Sequence, residues 1–533
     1  MTRHIGPGLC AMAALVSGCT VGPNFQPPKS TDASVWHQDR KADPAVSTSM
    51  DPDPRWWNSF GDPMLSKVIG LAIAGNPDLK EAVLRVVEAR QSVTTAQAAG
   101  LPSVNGTGSY MREQLGLHGI LESDGAYKGL NALADRSSPI NNISPGLGGQ
   151  LDTAGNQLLN EATAPVNLYQ FGLDASWELD LFGRVRRSVE QAKASAQAQR
   201  ESANAALLML ESEVAQTYLQ LRGAQTLAAT QAVNVGVDQK ALALTQRLAR
   251  QGLDSALDVD QARTQVFNDT RQLPGFEKQV QQALDQLNVL TGKAPGTLDA
   301  MLTSNAKLPA LPEVIGVGLP STLARRRPDI RQAEAQLHAA TANVGVAVAS
   351  FYPDVSLTGN LGLRATDASY ITNWAGHFYS AGPSISLPIF QGGKLTAELR
   401  MARAQQQEAA LAYRGTVLNA LREVEDALVG YRTDRVARDD LAGTLASAED
   451  TMYLAKNRYA NGLSDFLQVL DAQRSVVSAQ QQLVQADTML VEDVVTLYRA
   501  VGGGWQESEA AIRPPSVLAA PPPVPGALDS VVP

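Results

Sequence analysis

The stretch NPDLKEA at 76–82 returns as RPDIRQA at 327–333, and the echo runs on through the chain. At the same offset of 251, LPSV (101–104) faces YPDV (352–355). Further on the offset becomes 210: AKASAQAQ (192–199) faces ARAQQQEA (402–409), and ESEVAQTYLQLR (211–222) faces LREVEDALVGYR (421–432). Gly252 then faces Gly462, and Gly292 faces Gly502. The chain is therefore a tandem duplication, in which each copy must build the same kind of unit. The first copy carries about 41 extra residues (251 minus 210) within 112–165, whose Gly, Ser, Asn and Pro content predicts a long loop.

Each copy reads as helix, strand, loop, strand, long helix, tight turn and helix. No proline interrupts Arg184 to Leu273 or Ile389 to Arg513, and Ala, Gln, Leu, Glu and Arg dominate both regions. A helix of roughly 65 residues before Gly252 would span roughly 100 Å. The segments 67–100 and 254–290 together match it, so a long helix beside a pseudo-continuous pair of shorter ones is expected. Recurrent small residues suit close, coiled-coil-like packing. Four stretches alternate instead. In 166–180, Tyr169, Phe171, Leu173, Ala175, Trp177 and Leu179 alternate with polar residues or glycine, and 355–363 and 379–387 follow suit. The fourth, 103–111, alternates only weakly through Val104 and Tyr110. Strands of roughly 10 residues with one apolar face suit a transmembrane barrel. Four are too few to close one, and an open edge in lipid leaves backbone groups unpaired. The chain is expected to oligomerise.

The first residues set the compartment. MTRHIGPGLCAMAALVSGC has a short basic head, an apolar run from Leu9 to Val16, and small residues before Cys19. Its ending resembles a bacterial lipoprotein cleavage box, which implies a lipid-bearing Cys19 as first mature residue. Thr20 stands where an Asp would favour inner-membrane retention, which points to the outer membrane. Beyond the leader no run approaches the roughly 18 apolar residues of a spanning helix.

Composition removes other classes. A formal charge of −9 argues against nucleic acid as partner. The only other Cys, Cys10, lies in the leader, and the five His are scattered, so no disulfide, thiolate site or paired metal-ligand spacing is present. No convergent nucleophile, base or metal set suggests an enzyme. QGGKLT (391–396) lacks phosphate-loop spacing and reads as a strand-to-helix turn. Arg325, Arg326 and Arg327 read as a solvated helix entry.

Several motifs together resemble the outer-membrane factor family, the TolC/OprM-like exit ducts of bacterial tripartite RND-type efflux pumps. They are CTVGPNFQPP after the cleavage box, WWNSFGDPML (56–65), NPDLKEAVLRVVEAR (76–90), WELDLFGR (177–184), LPIFQGGK (387–394), YANGLSDFLQVLDAQRSVVSAQQQL (459–483) and LYRAVGGGW (497–505). The resemblance implies a mixed fold of helices and membrane strands. Its protomer has four β-strands and long coiled-coil-like helices, and the homotrimer makes a 12-stranded β-barrel continued by an α-helical barrel. The division expected is a leader at 1–18, an anchored segment at 19–66 by an equatorial collar, repeats at 67–292 and 325–502, a collar link at 293–324, and a Pro-rich tail at 503–533. The resemblance further implies a passive duct in the bacterial outer membrane, exporting small toxic compounds or antibiotics. It carries no cofactor besides the lipid on Cys19. Its partners would be a periplasmic adaptor, an inner-membrane transporter and outer-membrane lipid.

Site residues follow from the same resemblance. The hairpin turns, with Gly252, Asp254, Gly462 and Leu463, would meet the adaptor. Tyr459, Leu467 and Asp471 match the gating motif, and Leu467 and Asp471, four apart, share a helix face. Leu257 and Gln261 are their first-copy equivalents, with Asp254, Asp258 and Asp260 making that turn acidic. Two other readings are an exit channel for protein secretion and a periplasmic scaffold lipoprotein without a pore. The anchor and the second-copy motif favour efflux over the first; the amphipathic strands disfavour the second.

Overall fold

A computed structural model describes residues 20–29, 36–37, 45–114, 116–135, 138–303 and 307–508. Cys19, the leader and the Pro-rich stretch past 508 lie outside the described residues. The chain forms two compact units, one holding 95–188 and 345–398 and the other holding 23–94, 189–344 and the chain from 399 on.

The first unit is built on a four-stranded sheet. In chain order, β1 is the short Val46–Ser47 of the other unit, followed by β2 (Ser103–Glu113), β3 (Val166–Leu179), β4 (Ile315–Gly316, also in the other unit), β5 (Asp354–Ala365) and β6 (His377–Ser386). The sheet order is β2-β3-β5-β6, antiparallel throughout. Its register aligns the alternation of neighbouring strands. Leu173 faces Leu361, which faces Tyr379; Trp177 faces Leu357, which faces Pro383; Tyr110 faces Tyr169. Directly opposed residues share a face, so one surface is apolar across all four strands. The other carries Thr107, Asp174, Gln170, Arg364 and Asn360, tied by Thr107 Oγ1 to Asp174 (2.9 Å) and Arg364 to Gln170 (2.9 Å).

The expected long loop in the first copy is mostly helical, which corrects the sequence reading. Counting helices of five residues or more, α1 is Pro63–Gly75 and α2 Pro77–Ala98; then α3 (Leu117–Ser123), α4 (Ala126–Ala134), α5 (Pro139–Ile143) and α6 (Leu147–Thr163) fill the insertion. Its glycines start helices rather than dissolve them: Gly116, Gly125 and Gly146 precede α3, α4 and α6 with positive φ. Leu147, Leu151 and Leu158 give α6 a helical apolar spacing that composition alone hides.

The second unit holds the long helices. α7 (Arg184–Arg250) and α11 (Lys394–Ala460) have 67 residues each, separated in sequence by the expected offset of 210. Between them come α8 (Ala256–Thr270), α9 (Leu273–Leu290) and α10 (Pro328–Ala349), and α12 (Phe466–Val501) follows. Where α12 runs 36 residues unbroken, its first-copy counterpart breaks between α8 and α9, just before Pro274. α7 buries Leu207, Val214, Tyr218 and Leu221 against α12 residues such as Leu490, Val494 and Tyr498 in one core. WWNSF (56–60) closes that core, with Trp56 stacked on Tyr498 at 5.4 Å. β1 pairs in parallel with β4, joining the amino-terminal segment to the link between repeats.

Buried polar residues pin these segments together. Arg222 is 2% exposed and donates to Tyr218 Oη (3.0 Å), Gln225 Oε1 (2.9 Å) and the carbonyl of Leu302 (2.9 Å). The basic run is also corrected: only Arg325 is exposed. Arg326 binds Asp51, while Arg327 is buried and binds Asp329, Glu423 and the carbonyl of Ala500. A helix entry packed against other segments cannot remain solvated, and its charges take partners. Arg222→Ala removes three bonds in a dry core and leaves acceptors unsatisfied. We expect a loss on the order of 3 kcal/mol, read as a lowered denaturant midpoint with native secondary structure retained.

Candidate functional site

Each unit presents one surface that fits no interior. In the sheet unit it is the apolar face. Phe171, Leu173, Leu361, Tyr379 and Ile385 are each half-exposed or more, which a water-soluble sheet would not tolerate across four strands. At the end of the sheet from which the helices leave, Leu387, Ile389 and Phe390 are also exposed, the last two almost fully. Among the described residues, the edge strands β2 and β6 each turn outward a row of backbone groups that no further strand pairs. No helix among the described residues is long and apolar enough to cross a membrane.

The same end of this unit holds Thr20, the residue after Cys19. The Val21 amide donates to the carbonyl of Phe182 (3.3 Å), and Arg187 donates to the carbonyls of Val21 (3.2 Å) and Gly22 (3.4 Å). Gly22, at φ 89°, lies against Gly345 so closely that a Cβ would sit 2.6 Å from its Cα. Thr20–Gly22 are therefore docked beside the strand-to-helix junctions. Gly392 and Gly393, both at positive φ, make the turn that QGGKLT was expected to make.

In the helical unit the surface lies around the two hairpin turns. Gly252 and Gly462 have φ of 74° and 67°, and the amides of Leu253 and Leu463 reach back to the carbonyls of Leu248 and Arg458. Both helices end in this Schellman pattern, which needs the left-handed residue. It leaves Leu253 and Leu463 about 70% exposed. The two turns are joined by Tyr459, whose hydroxyl donates to Asp254 at 2.6 Å and whose ring meets Phe466 at 5.5 Å. Burial, then the bond to Asp254, pushes the Tyr459 phenol well above its usual range. A groove of about 1160 Å³ runs beside them, lined by Leu244, Leu248, Leu257, Tyr459 and Leu467.

Leu467 and Asp471 are both exposed, one helical turn apart on α12. Asp471 is not a bare acid, because Arg474 lies 3.5 Å away on the same helix and also donates to Gln265 at 2.8 Å. The first-copy acids are engaged as well. Asp258 completes a capping box with Ser255, and Asp260 pairs with Arg263 at 2.6 Å. Sequence reasoning missed a buried carboxyl pair near the α8–α9 break. Asp238 on α7 and Asp269 on α8 are neighbouring carboxyls, each only 3% exposed; Gln473 of α12 donates to Asp238, and Gln265 donates to Asp269. Only the register of three helices brings these residues together, so spacing along the chain gives no signal.

An apolar-faced four-stranded sheet, joined in sequence to paired long helices, is the architecture of a membrane-channel protein. The chain belongs to the Outer membrane efflux protein family, whose pattern matches residues 68–293 and 319–503. It is similar to the probable efflux pump outer membrane protein TtgC of Pseudomonas putida, 31% identical over 94% of this chain and 95% of that one. To outer membrane protein OprJ of Pseudomonas aeruginosa it is 31% identical, over 95% and 97%. The solved outer-membrane channel OprN, also 31% identical, matches with a TM-score of 0.77 over 92% of this chain and 100% of that one.

Two expectations follow from the polar contacts. Burial, then Asp269, raises the Asp238 carboxyl from its ordinary 3.8 to about 8. The folded state thus holds a proton that the unfolded chain releases, and Asp238's contribution to stability declines as pH rises from about 4 to about 8. Asp238→Asn should flatten the thermal midpoint across that window and raise it at pH 8, as followed by circular dichroism. Tyr459→Phe removes one hydroxyl bond and leaves Asp254 to solvent. It should cost about 1 kcal/mol or less and raise hydrogen exchange at residues 252–256 and 462–466 selectively.

Proposed function

We propose that three copies of the chain close their sheets into one 12-stranded barrel through the bacterial outer membrane. An α-helical barrel continues it into the periplasm, and the whole acts as the passive exit duct of a tripartite efflux pump. The observation that carries this reading is the single apolar face running in register across four strands, bounded by two open edges. Lipid covers the face, and neighbouring copies pair the edges. Membership of the efflux family and the close match to a solved channel support the same reading.

In this proposal Cys19 carries lipid, and the docking of Thr20–Gly22 supports it, since the anchor then enters the leaflet at the helical end of the strands. The hairpin turns, with Gly252, Asp254, Gly462 and Leu463, receive the periplasmic adaptor, which links the duct to an RND-type transporter of the inner membrane. Leu467 forms an apolar ring and Asp471 an acidic one when three copies converge, and Tyr459 holds the two turns of each copy together. Three carboxylates facing one lumen repel each other and draw cations. Arg474 tempers that charge within each copy.

Single-channel recording in a planar bilayer tests the duct and its gate together. The native protein should conduct weakly with cation preference. Leu467→Ala with Asp471→Ala should raise conductance and lower the preference, whereas Leu257→Ala with Gln261→Ala, which removes no charge, should leave selectivity alone. Absence of any conductance from assembled native protein and the gate variant alike contradicts the duct, and equal selectivity of the two variants contradicts the gate. For the anchor, mass spectrometry should find the mature terminus at Cys19 bearing acyl chains.

A further inference from the structure

The sheet register fixes which connections share an end. Glu113, the last residue of β2, faces Val166 at the start of β3; Tyr169 faces Ala365 at the end of β5; and Leu363 faces His377 at the start of β6. The helical insertion over 117–163 and the connection over 366–376 therefore leave the sheet at the same end, away from the long helices. Within one chain they belong to opposite edges. The insertion follows edge strand β2, and the connection precedes edge strand β6.

Closing the sheet with further copies, as proposed above, sets β2 of one copy beside β6 of the next. Antiparallel order around the sheet makes these two strands antiparallel as well, so the seam is compatible with ladder hydrogen bonds. The insertion of one copy then lies alongside residues 366–376 of its neighbour, whatever the number of copies in the ring.

Both surfaces carry uncovered apolar side chains. Ile120, Ile143, Leu147, Leu151 and Leu158 are exposed on the insertion, Ile143 by 85%, and Tyr370 and Trp374 are exposed on the connection. Acyl chains are poor candidates to cover the insertion. Tyr110 and Tyr169, with rings 4.9 Å apart on the apolar face, mark the aromatic level of the sheet, and the exposed Arg112 and Glu113 lie past them. The insertion begins beyond those charges. It is also an ordered surface. The Asn141 side chain donates to the carbonyl of Asp135 (2.8 Å) and accepts from the Gly148 amide (2.9 Å). Gly155 lies where a Cβ would strike Leu130.

We infer that the 117–163 insertion is a clasp between copies, its apolar side chains covering Tyr370 and Trp374 of the neighbour at the end of the sheet opposite the helices. The clasp adds side-chain burial to a seam otherwise held by backbone pairing, and the second repeat lacks an equivalent. It rests on the closed ring proposed above, and its test separates the two.

Double variants Ile120→Cys, Ile143→Cys or Leu158→Cys, each combined with Trp374→Cys, are treated with a short bismaleimide in native membranes. They are then run on a denaturing gel, beside the single variants and a native-mass measurement of the untreated protein. The clasp predicts covalent dimers and trimers from at least one double variant and monomers from every single variant. Monomers from all three double variants in a protein of three-copy native mass overturn the clasp and leave the ring standing. Dimers from a single insertion variant mean that insertions meet each other, and overturn it too. A one-copy native mass overturns the ring, and the clasp with it.

Discussion

Everything in this chain depends on the edges of a four-stranded sheet. β2 and β6 each carry a row of amides and carbonyls that no strand among the described residues pairs, and the sheet they bound is apolar on one face. In water the face would aggregate, and in lipid the edges would cost several kcal/mol per unpaired group. Only a closed ring of copies satisfies both at once. The proposed ring of copies is thus a consequence of backbone chemistry before it is a matter of transport.

The helical unit solves a different problem. Helices of 67 residues cannot be stabilised by propensity alone, and their apolar content is modest, so packing is concentrated where the amino-terminal segment and the link between repeats meet them. There, Trp56 against Tyr498 and Asp51 with Arg326 fix the amino-terminal segment to the second repeat, and Arg222 binds the link at Leu302. Towards the hairpin turns a smaller apolar cluster of Ala262, Met452, Phe466 and Leu470 is interleaved with polar contacts: Asp238 with Asp269 and Gln473, Gln481 with Gln231, Tyr459 with Asp254. Polar contacts of this kind exchange partners at lower cost than a dry apolar core does, which suits the part of a duct proposed to open.

Much of the fold was legible because the duplication is literal. The offset of 251 maps α2 onto α10 residue for residue, and 210 maps α7 onto α11. Strand alternation was readable wherever both faces had consistent chemistry, as in β3, and faint in β2, where Gly106 and Gly108 oppose Leu173 and Phe171 and leave the apolar side to the partner strand. The helical insertion was misread because glycine and asparagine content outweighed the leucine spacing of α6. The basic run at 325–327 was misread because no local pattern reveals that Asp51, Glu423 and Ala500 converge on it. At the turns, glycine positions were clear from sequence. The pairing of Asp471 with Arg474 lay in plain view three residues away, whereas the Asp238–Asp269 pair depends on helix register and was not.

Amide hydrogen exchange of the detergent-solubilised assembly, resolved strand by strand, tests the central claim most directly. Pairing across copies predicts that amides of β2 and β6 are protected as strongly as those of the interior strands β3 and β5. Rapid exchange at alternate residues of β2 and β6, with β3 and β5 still protected, would mean that a folded chain keeps its edges open and would contradict the account.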